Sequence, residues 1–195
     1  MKQKEVNCLI AGVGGQGTVL AARVIGTAAM TAGFDVRGSE TIGMAQRGGS
    51  VTSHVRIGKN VASPLIPSGC ADVVLAFEPG EAVRTIDFLK CGGTFVVCDR
   101  PVIPTVKGDY DGEASARWLR EYAGAILVSG EDIIKNCGAR GINIALLGAA
   151  TASGAFPFGF NEIETALKER FNAKIFEMNI ASLYYGAGLV TGKQI

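Results

Sequence analysis

Val6 to Ala11 is a short, mostly apolar run that ends on glycines, the pattern of a strand buried in a parallel sheet. Gly12 to Gly17 supplies a turn. From about Thr18 to Ala32 the spacing predicts a helix, closed by Gly33 where a helix C-terminal glycine belongs. A second strand follows from about Asp35 to Glu40, completing the strand–turn–helix–strand unit of a doubly wound sheet. Thr41 to Gly49 breaks the alternation. In Ser50 to Ile57, Val51, Ser53, Val55 and Ile57 alternate with Thr52, His54 and Arg56, which predicts a strand with one buried and one polar face. Gly58-Lys59-Asn60 ends it, and Pro64 and Pro67 mark a loop.

Ala71 to Phe77 reads as another buried strand, closed by Glu78-Pro79-Gly80 and followed by a helix from about Glu81 to Lys90. Gly92-Gly93 punctuates, and Thr94 to Asp99 is the next strand. Beyond an irregular stretch from Pro101 to about Gly112, the pattern predicts a helix near Ser115 to Tyr122 and a strand from Ala125 to Ser129. A short helix after Gly130, an Ala-rich helix from Ile142, and helices at about Asn161 to Phe171 and Ile180 to Leu189 complete the chain. With no internal repeat and no linker, residues 1–195 read as a single α/β domain. The expected architecture is one doubly wound, mostly parallel sheet with helices on both faces, a Rossmann-like arrangement.

Composition narrows the function. The 195 residues are 48% hydrophobic but only 7% aromatic, so the core is built from aliphatic side chains and alanine. Glycine, at 27 residues, is about twice its roughly 7% average usage, which implies tight turns and close backbone approaches. A net charge of +1 without charged blocks argues against nucleic acid as a partner. The five cysteines, Cys8, Cys70, Cys91, Cys98 and Cys137, form no C-x-x-C pair, so neither a zinc site nor a cysteine-ligated iron–sulfur cluster is readable. No run approaches the roughly 18 apolar residues of a membrane span, and no signal peptide is recognisable. A cytoplasmic chain with reduced thiols is the expectation.

Gly12-Val13-Gly14-Gly15-Gln16-Gly17 satisfies G-x-G-x-x-G between a strand and a helix. The first glycine permits the turn and the second lets a ligand touch backbone. The last allows close helix–strand packing, and open N–H groups at the helix start favour an anion. A dinucleotide site also needs an acid at the C-terminal end of the second strand. Glu40 falls there, but irregular, glycine-rich sequence follows it. A self-contained NAD(P)-binding enzyme, or a module for CoA or a nucleotide, therefore stays as an alternative. Residues 39–50 combine Glu40, Gln46, Arg47 and Ser50 with Gly43, Gly48 and Gly49. Arg47 has the planar fork that recognises phosphate or carboxylate, and Glu40 and Arg47 are the catalytic candidates.

The glycine turn, the run Glu40-Thr41-Ile42-Gly43-Met44-Ala45-Gln46-Arg47-Gly48-Gly49 and then Val51, Ser53, His54 and Arg56 closely resemble the gamma-type domain of 2-oxoacid:ferredoxin oxidoreductases. Asn143 with Leu147-Gly148-Ala149 matches a later helix of that pattern, and Gly-Met-Ala-Gln-Arg-Gly-Gly-Ser is most similar to the indolepyruvate type. The resemblance extends over essentially the whole chain. It implies a small subunit in an enzyme that decarboxylates a 2-oxoacid, delivers an acyl group to CoA and passes electrons to ferredoxin. Thiamine diphosphate, magnesium and the iron–sulfur clusters would lie on a large partner subunit, none being bound by this chain alone.

Under the resemblance, Gly12, Gly14, Gly15, Gln16, Gly17, Gly43, Met44, Gln46, Arg47, Gly48, Gly49 and Ser50 are the cofactor-side residues. Ser53, His54, Arg56 and Asn143 would contact the partner or substrate. From the residues themselves, His54, the single histidine, is paired with no recognisable nucleophile, and a structural role competes with partner contact. Gln16, at the helix start, is suited to orient a bound group or a partner backbone. Trp118 with Tyr122, and Tyr184-Tyr185, read as packing.

Overall fold

The computed structural model describes residues 5–41, 49–59, 61–103 and 109–191. In chain order these form β1 (Val6–Val13), α1 (Thr18–Thr31), β2 (Val36–Thr41), β3 (Ser50–Ile57), β4 (Ala71–Ala76) and α2 (Pro79–Thr85). There follow β5 (Leu89–Cys98), α3 (Gly112–Tyr122), β6 (Ile126–Val128), α4 (Gly130–Cys137), α5 (Ile142–Ala152), α6 (Phe160–Arg170) and α7 (Ala173–Thr191). Six strands make one sheet in the order β2-β3-β1-β4-β5-β6. The pairs β1–β4, β4–β5 and β5–β6 are parallel, whereas β3 is antiparallel to both β1 and β2.

Strand alternation explains the unbroken apolar runs. Cys8, Ile10, Val73, Leu75, Val96 and Cys98 point into the core beneath α1, α5, α6 and α7. Leu9, Ala11, Val74, Ala76, Phe95 and Val97 point the other way, under α2 and α3. Both faces are dry over the middle of β1, β4 and β5, so consecutive positions there are apolar. Helix α5 is buried from Asn143 to Thr151, as expected for a helix apolar all round.

Several boundaries differ from the sequence expectation. β2 does not lie beside β1, because β3 separates them. The period-two pattern of Ser50 to Ile57 reported a strand but carried no information about its neighbours. β1 continues through Gly12 and Val13, since these residues pair with Val51 and Ser50. α2 stops at Thr85 rather than Lys90: a 3₁₀ turn at Ile86–Phe88 hands the chain to β5, where Leu89 already pairs with Ala71. Gly92-Gly93 therefore sits inside β5, at an irregularity in its register with β4. α7 begins seven residues before Ile180. Asn172 caps it by accepting the Ile175 N–H at 3.1 Å, and exposed Ile175 and Met178 had obscured the amphipathic spacing. Gly33 does terminate α1: with φ +82° it allows its own N–H and that of Phe34 to reach the Met30 and Ala29 carbonyls at 2.9 and 3.0 Å.

Candidate functional site at the glycine edge of the sheet

The glycine sequence occupies the C-terminal edge of the sheet, but its residues do different work from the expected division. Gly12 is still in β1. A Cβ there would lie 2.9 Å from Gln16 Oε1 and from Thr18 Cγ2, so its smallness serves packing. The turn itself spans Gly14 to Gln16, with the Gln16 N–H donating to Val13 O at 3.1 Å. The Gln16 side chain laces this turn to the end of β4. Its Oε1 accepts the Val13 N–H at 2.7 Å, and its Nε2 donates to Phe77 O at 3.0 Å. It is thus bonded within the fold rather than turned outward to orient a bound group. Gln16→Ala leaves two backbone groups without these partners and is expected to cost about 1–3 kcal/mol, read as a lower urea midpoint.

Gly17 adopts φ +84°, ψ 28° at the N-cap of α1, where it provides no side-chain cap, and the first turn of the helix holds no acid. The N–H groups of Thr18, Val19 and Leu20 have no intrahelical partner, and the helix dipole is open at this end. Gly17 makes room not for helix–strand packing but for Asn143 in the first turn of α5: a Cβ at residue 17 would lie 2.4 Å from Asn143 Nδ2. The Asn143 amide is buried, and its Oδ1 accepts the Ile144 N–H at 2.9 Å. Its Nδ2 has no hydrogen-bond partner among the described residues.

The second sequence motif reaches the same place through its last residues. Gly43, Met44, Gln46, Arg47 and Gly48 lie outside the described residues. Gly49 O accepts the Gly14 N–H at 2.9 Å, and the Ser50 hydroxyl is bonded to Glu81. Sequence reasoning missed this acid and its neighbours. Glu78 caps α2, its Oε2 accepting the Glu81 N–H at 2.9 Å, while its Oε1 is bonded to the Tyr110 hydroxyl. Both carboxylates are buried. Burial, then the hydrogen bond to Glu78, pushes the Tyr110 hydroxyl well above its ordinary range. The signal for Glu78 was present: an acid before proline, with a second acid three positions on, opens helices as readily as it closes strands. Nothing in the sequence pointed to Tyr110.

Other candidates lie elsewhere. Glu40, on the edge strand β2, stands 3.9 Å from Arg23 over a shallow groove between α1 and β2 that also involves Ala22, Val36 and Gly38. With β3 inserted between β1 and β2, this acid is two strands from the glycine turn. The geometry that lets a dinucleotide ribose reach an acid beside β1 is therefore missing. Ser53 is fully buried on the α1 face, and its hydroxyl has no partner among the described residues. Arg56 pairs in register with Asn7, at the far end of β1 from the turn. It donates to Asn7 Oδ1 at 2.8 Å and to Ser63 O at 2.9 Å, fastening the loop after β3.

His54 is not on a solvated face, because the Ile66 segment and the edge of Phe88 cover it. Its Nδ1 accepts the Ile66 N–H at 3.2 Å, and burial lowers its pKa from the ordinary 6.5. The unfolded chain therefore takes up a proton more readily than the folded one. The stability that His54 contributes is complete above about pH 6.5 and declines as the pH falls towards its folded pKa. Urea midpoints are expected to drop between pH 7.5 and 5.5, and His54→Gln to reduce that slope.

Among the described residues, no three His, Cys, Asp or Glu side chains converge in a way that would hold a metal ion. Cys8 and Cys98 are sealed in the core, Cys70 and Cys91 are exposed, and burial raises the Cys98 thiol to about 11. This donor set does not fit an iron–sulfur cluster. Nor is a described helix long and apolar enough to cross a membrane.

The fold and its glycine edge define an α/β domain of the 2-oxoacid oxidoreductase class. Residues 7–189 match the family described as pyruvate ferredoxin/flavodoxin oxidoreductase, and the chain belongs to that family as one subunit of an oxidoreductase complex. It is 37% identical over 188 residues to the indolepyruvate oxidoreductase subunit IorB of Archaeoglobus fulgidus, with 93% of each chain covered. The gamma subunit of a keto/oxoacid ferredoxin oxidoreductase from Geobacter sulfurreducens has the same fold, with a TM-score of 0.69 at 23% identity over 96% of this chain and 99% of that one. The 2-oxoglutarate:ferredoxin oxidoreductase of Magnetococcus marinus, solved with 2-oxoglutarate, coenzyme A and succinyl-CoA, gives 0.72 at 22% identity, over 98% of this chain and 32% of the longer one.

Proposed function

We propose that the chain is the small subunit of an indolepyruvate-type ferredoxin oxidoreductase, and that its glycine edge seats an anionic group of a substrate at the active site of a large partner subunit. The observation that carries this reading is the uncapped N-terminus of α1, with no acid in its first turn and the free Asn143 Nδ2 beside it. Together they offer aligned donors to a carboxylate or a diphosphate. A 2-oxoacid presents the first and CoA the second. The relatives named for indolepyruvate support an arylpyruvate as the oxoacid.

Thiamine diphosphate, magnesium and the iron–sulfur clusters belong on the partner in this reading, which the lack of a metal-holding group of His, Cys, Asp or Glu among the described residues supports for the metals. Electrons would leave to ferredoxin through that partner. The chain's own contribution is to orient the anion and exclude water, which raises the effective strength of each donor.

Reconstitution tests this. The isolated chain is expected to be colourless and inactive. The pair with its large subunit should reduce ferredoxin or a dye in the presence of indolepyruvate and CoA. Full activity of the large subunit alone, or NADH-dependent turnover by the isolated small chain, would remove the proposal.

A further inference from the structure

We infer that Glu81 is a positioning residue for the glycine edge, acting through Ser50; this rests on the function proposed above. Glu81 is 6% exposed, and water cannot offset the cost of burying its carboxylate. Its place is set from behind. Glu78 holds the Glu81 N–H with one carboxylate oxygen, and with the other takes the Tyr110 hydroxyl and, at 3.4 Å, the Val102 N–H. The first turn of α2 is thereby tied to the segments around residues 102 and 110. From that turn, Glu81 Oε2 accepts the Ser50 hydroxyl, while its Oε1 lies 3.8 Å from the largely solvated Arg84.

Ser50 directly follows Gly49, whose carbonyl holds the Gly14 N–H at 2.9 Å. Ser50 itself pairs with Val13 at the end of β1. Two consecutive residues therefore carry two cross-links, one to α2 and one to the glycine turn. The charged acceptor makes the first of these the stronger. Releasing Ser50 from Glu81 lets the Gly49 carbonyl shift, and with it the Gly14 amide and the turn leading to the α1 N-terminus. Ser50 has an exposed side chain, so it can be altered without opening the core.

The test uses the reconstituted complex with indolepyruvate and CoA as probes. Ser50→Ala and Glu81→Ala are expected to raise KM for at least one probe about tenfold, the scale of one hydrogen bond to a charged group. Within the same experiment kcat should stay within about twofold, since the reacting groups are untouched. Glu81→Gln keeps an acceptor oxygen for Ser50 and should return KM close to wild type. Ser50→Ala also strips the buried Glu81 carboxylate of its donor and should lower the urea midpoint; a lowered midpoint with both KM values unchanged would mark a purely structural link. If neither KM moves in Ser50→Ala while Gly17→Ala raises one, the positioning role is overturned and the anion site stands. If Gly17→Ala also leaves both unchanged, the anion-binding reading of the edge falls, and this inference with it.

Discussion

Gly186→Ala is expected to destabilise the fold by about 3 kcal/mol or more, the upper range for overpacking a core. Where α5 and α7 cross, their backbones touch. A Cβ at Gly186 would lie 1.8 Å from Ala145 O, and one at Gly148 would lie 1.9 Å from Leu183 O. Both obstacles are main-chain atoms, so no rotamer change relieves them. The two helices would have to move apart, and α5 is packed on all sides, against the sheet as well as α7. Separation forfeits dispersion contacts along the whole crossing. Helix propensity acts in the opposite direction, because alanine exceeds glycine by about 1 kcal/mol in a helix interior. Gly188, in the same helix, isolates that term: it is exposed, and a Cβ there would meet nothing within 4 Å. Gly188→Ala should therefore raise the urea midpoint while Gly186→Ala lowers it. Equal effects at the two positions would refute the account of the crossing.

Gly17→Ala is expected to leave the protein folded but to weaken the substrate anion by about tenfold or more, the loss of one charge-assisted donor. Two costs arise from the same methyl group. At φ +84° an alanine is strained by about 1–2 kcal/mol. The new Cβ would also meet Asn143 Nδ2 at 2.4 Å. The amide is the end of a side chain and can swing away, so stability should fall by only about 1–2 kcal/mol. That movement takes the free donor off the α1 N-terminus. The expected pattern in the assembled enzyme is a raised KM with a small change in urea midpoint. Asn143→Ala should reproduce the raised KM without the backbone strain. A variant at 17 that loses stability while retaining KM for both indolepyruvate and CoA would show that the glycine serves packing alone.

Much of this architecture was legible in the chain. The mostly apolar run from Val6 and the ones through Ala71–Phe77 and Thr94–Cys98 announced strands covered on both faces, which they are. Gly33 marked the end of α1 because a left-handed C-terminal residue is a local requirement. The glycine turn was also local, since a strand, a tight reversal and a helix start are written in consecutive residues.

What consecutive residues do not encode is who stands next to whom. The insertion of β3 between β1 and β2 moved Glu40 away from the glycine turn, and only hydrogen-bond pairing across the sheet decides that order. His54 and Arg56 sat on the polar side of an alternating strand, yet the loop through Ser63 and Ile66 folds over that side and uses both. Gln16 was expected to orient a bound group or a partner backbone, and its amide is spent on Val13 and Phe77, the latter sixty-one residues away. Glu81 meets Ser50 across 31 residues, and Glu78 meets Tyr110 across 32, only in three dimensions. Backbone conformation and burial are governed by near neighbours and periodicity, so the amino-acid order determined the elements and the turn by itself. The assembly of the donors around α1, and the acids behind them, depends on contacts between distant segments, which only the folded chain brings within reach.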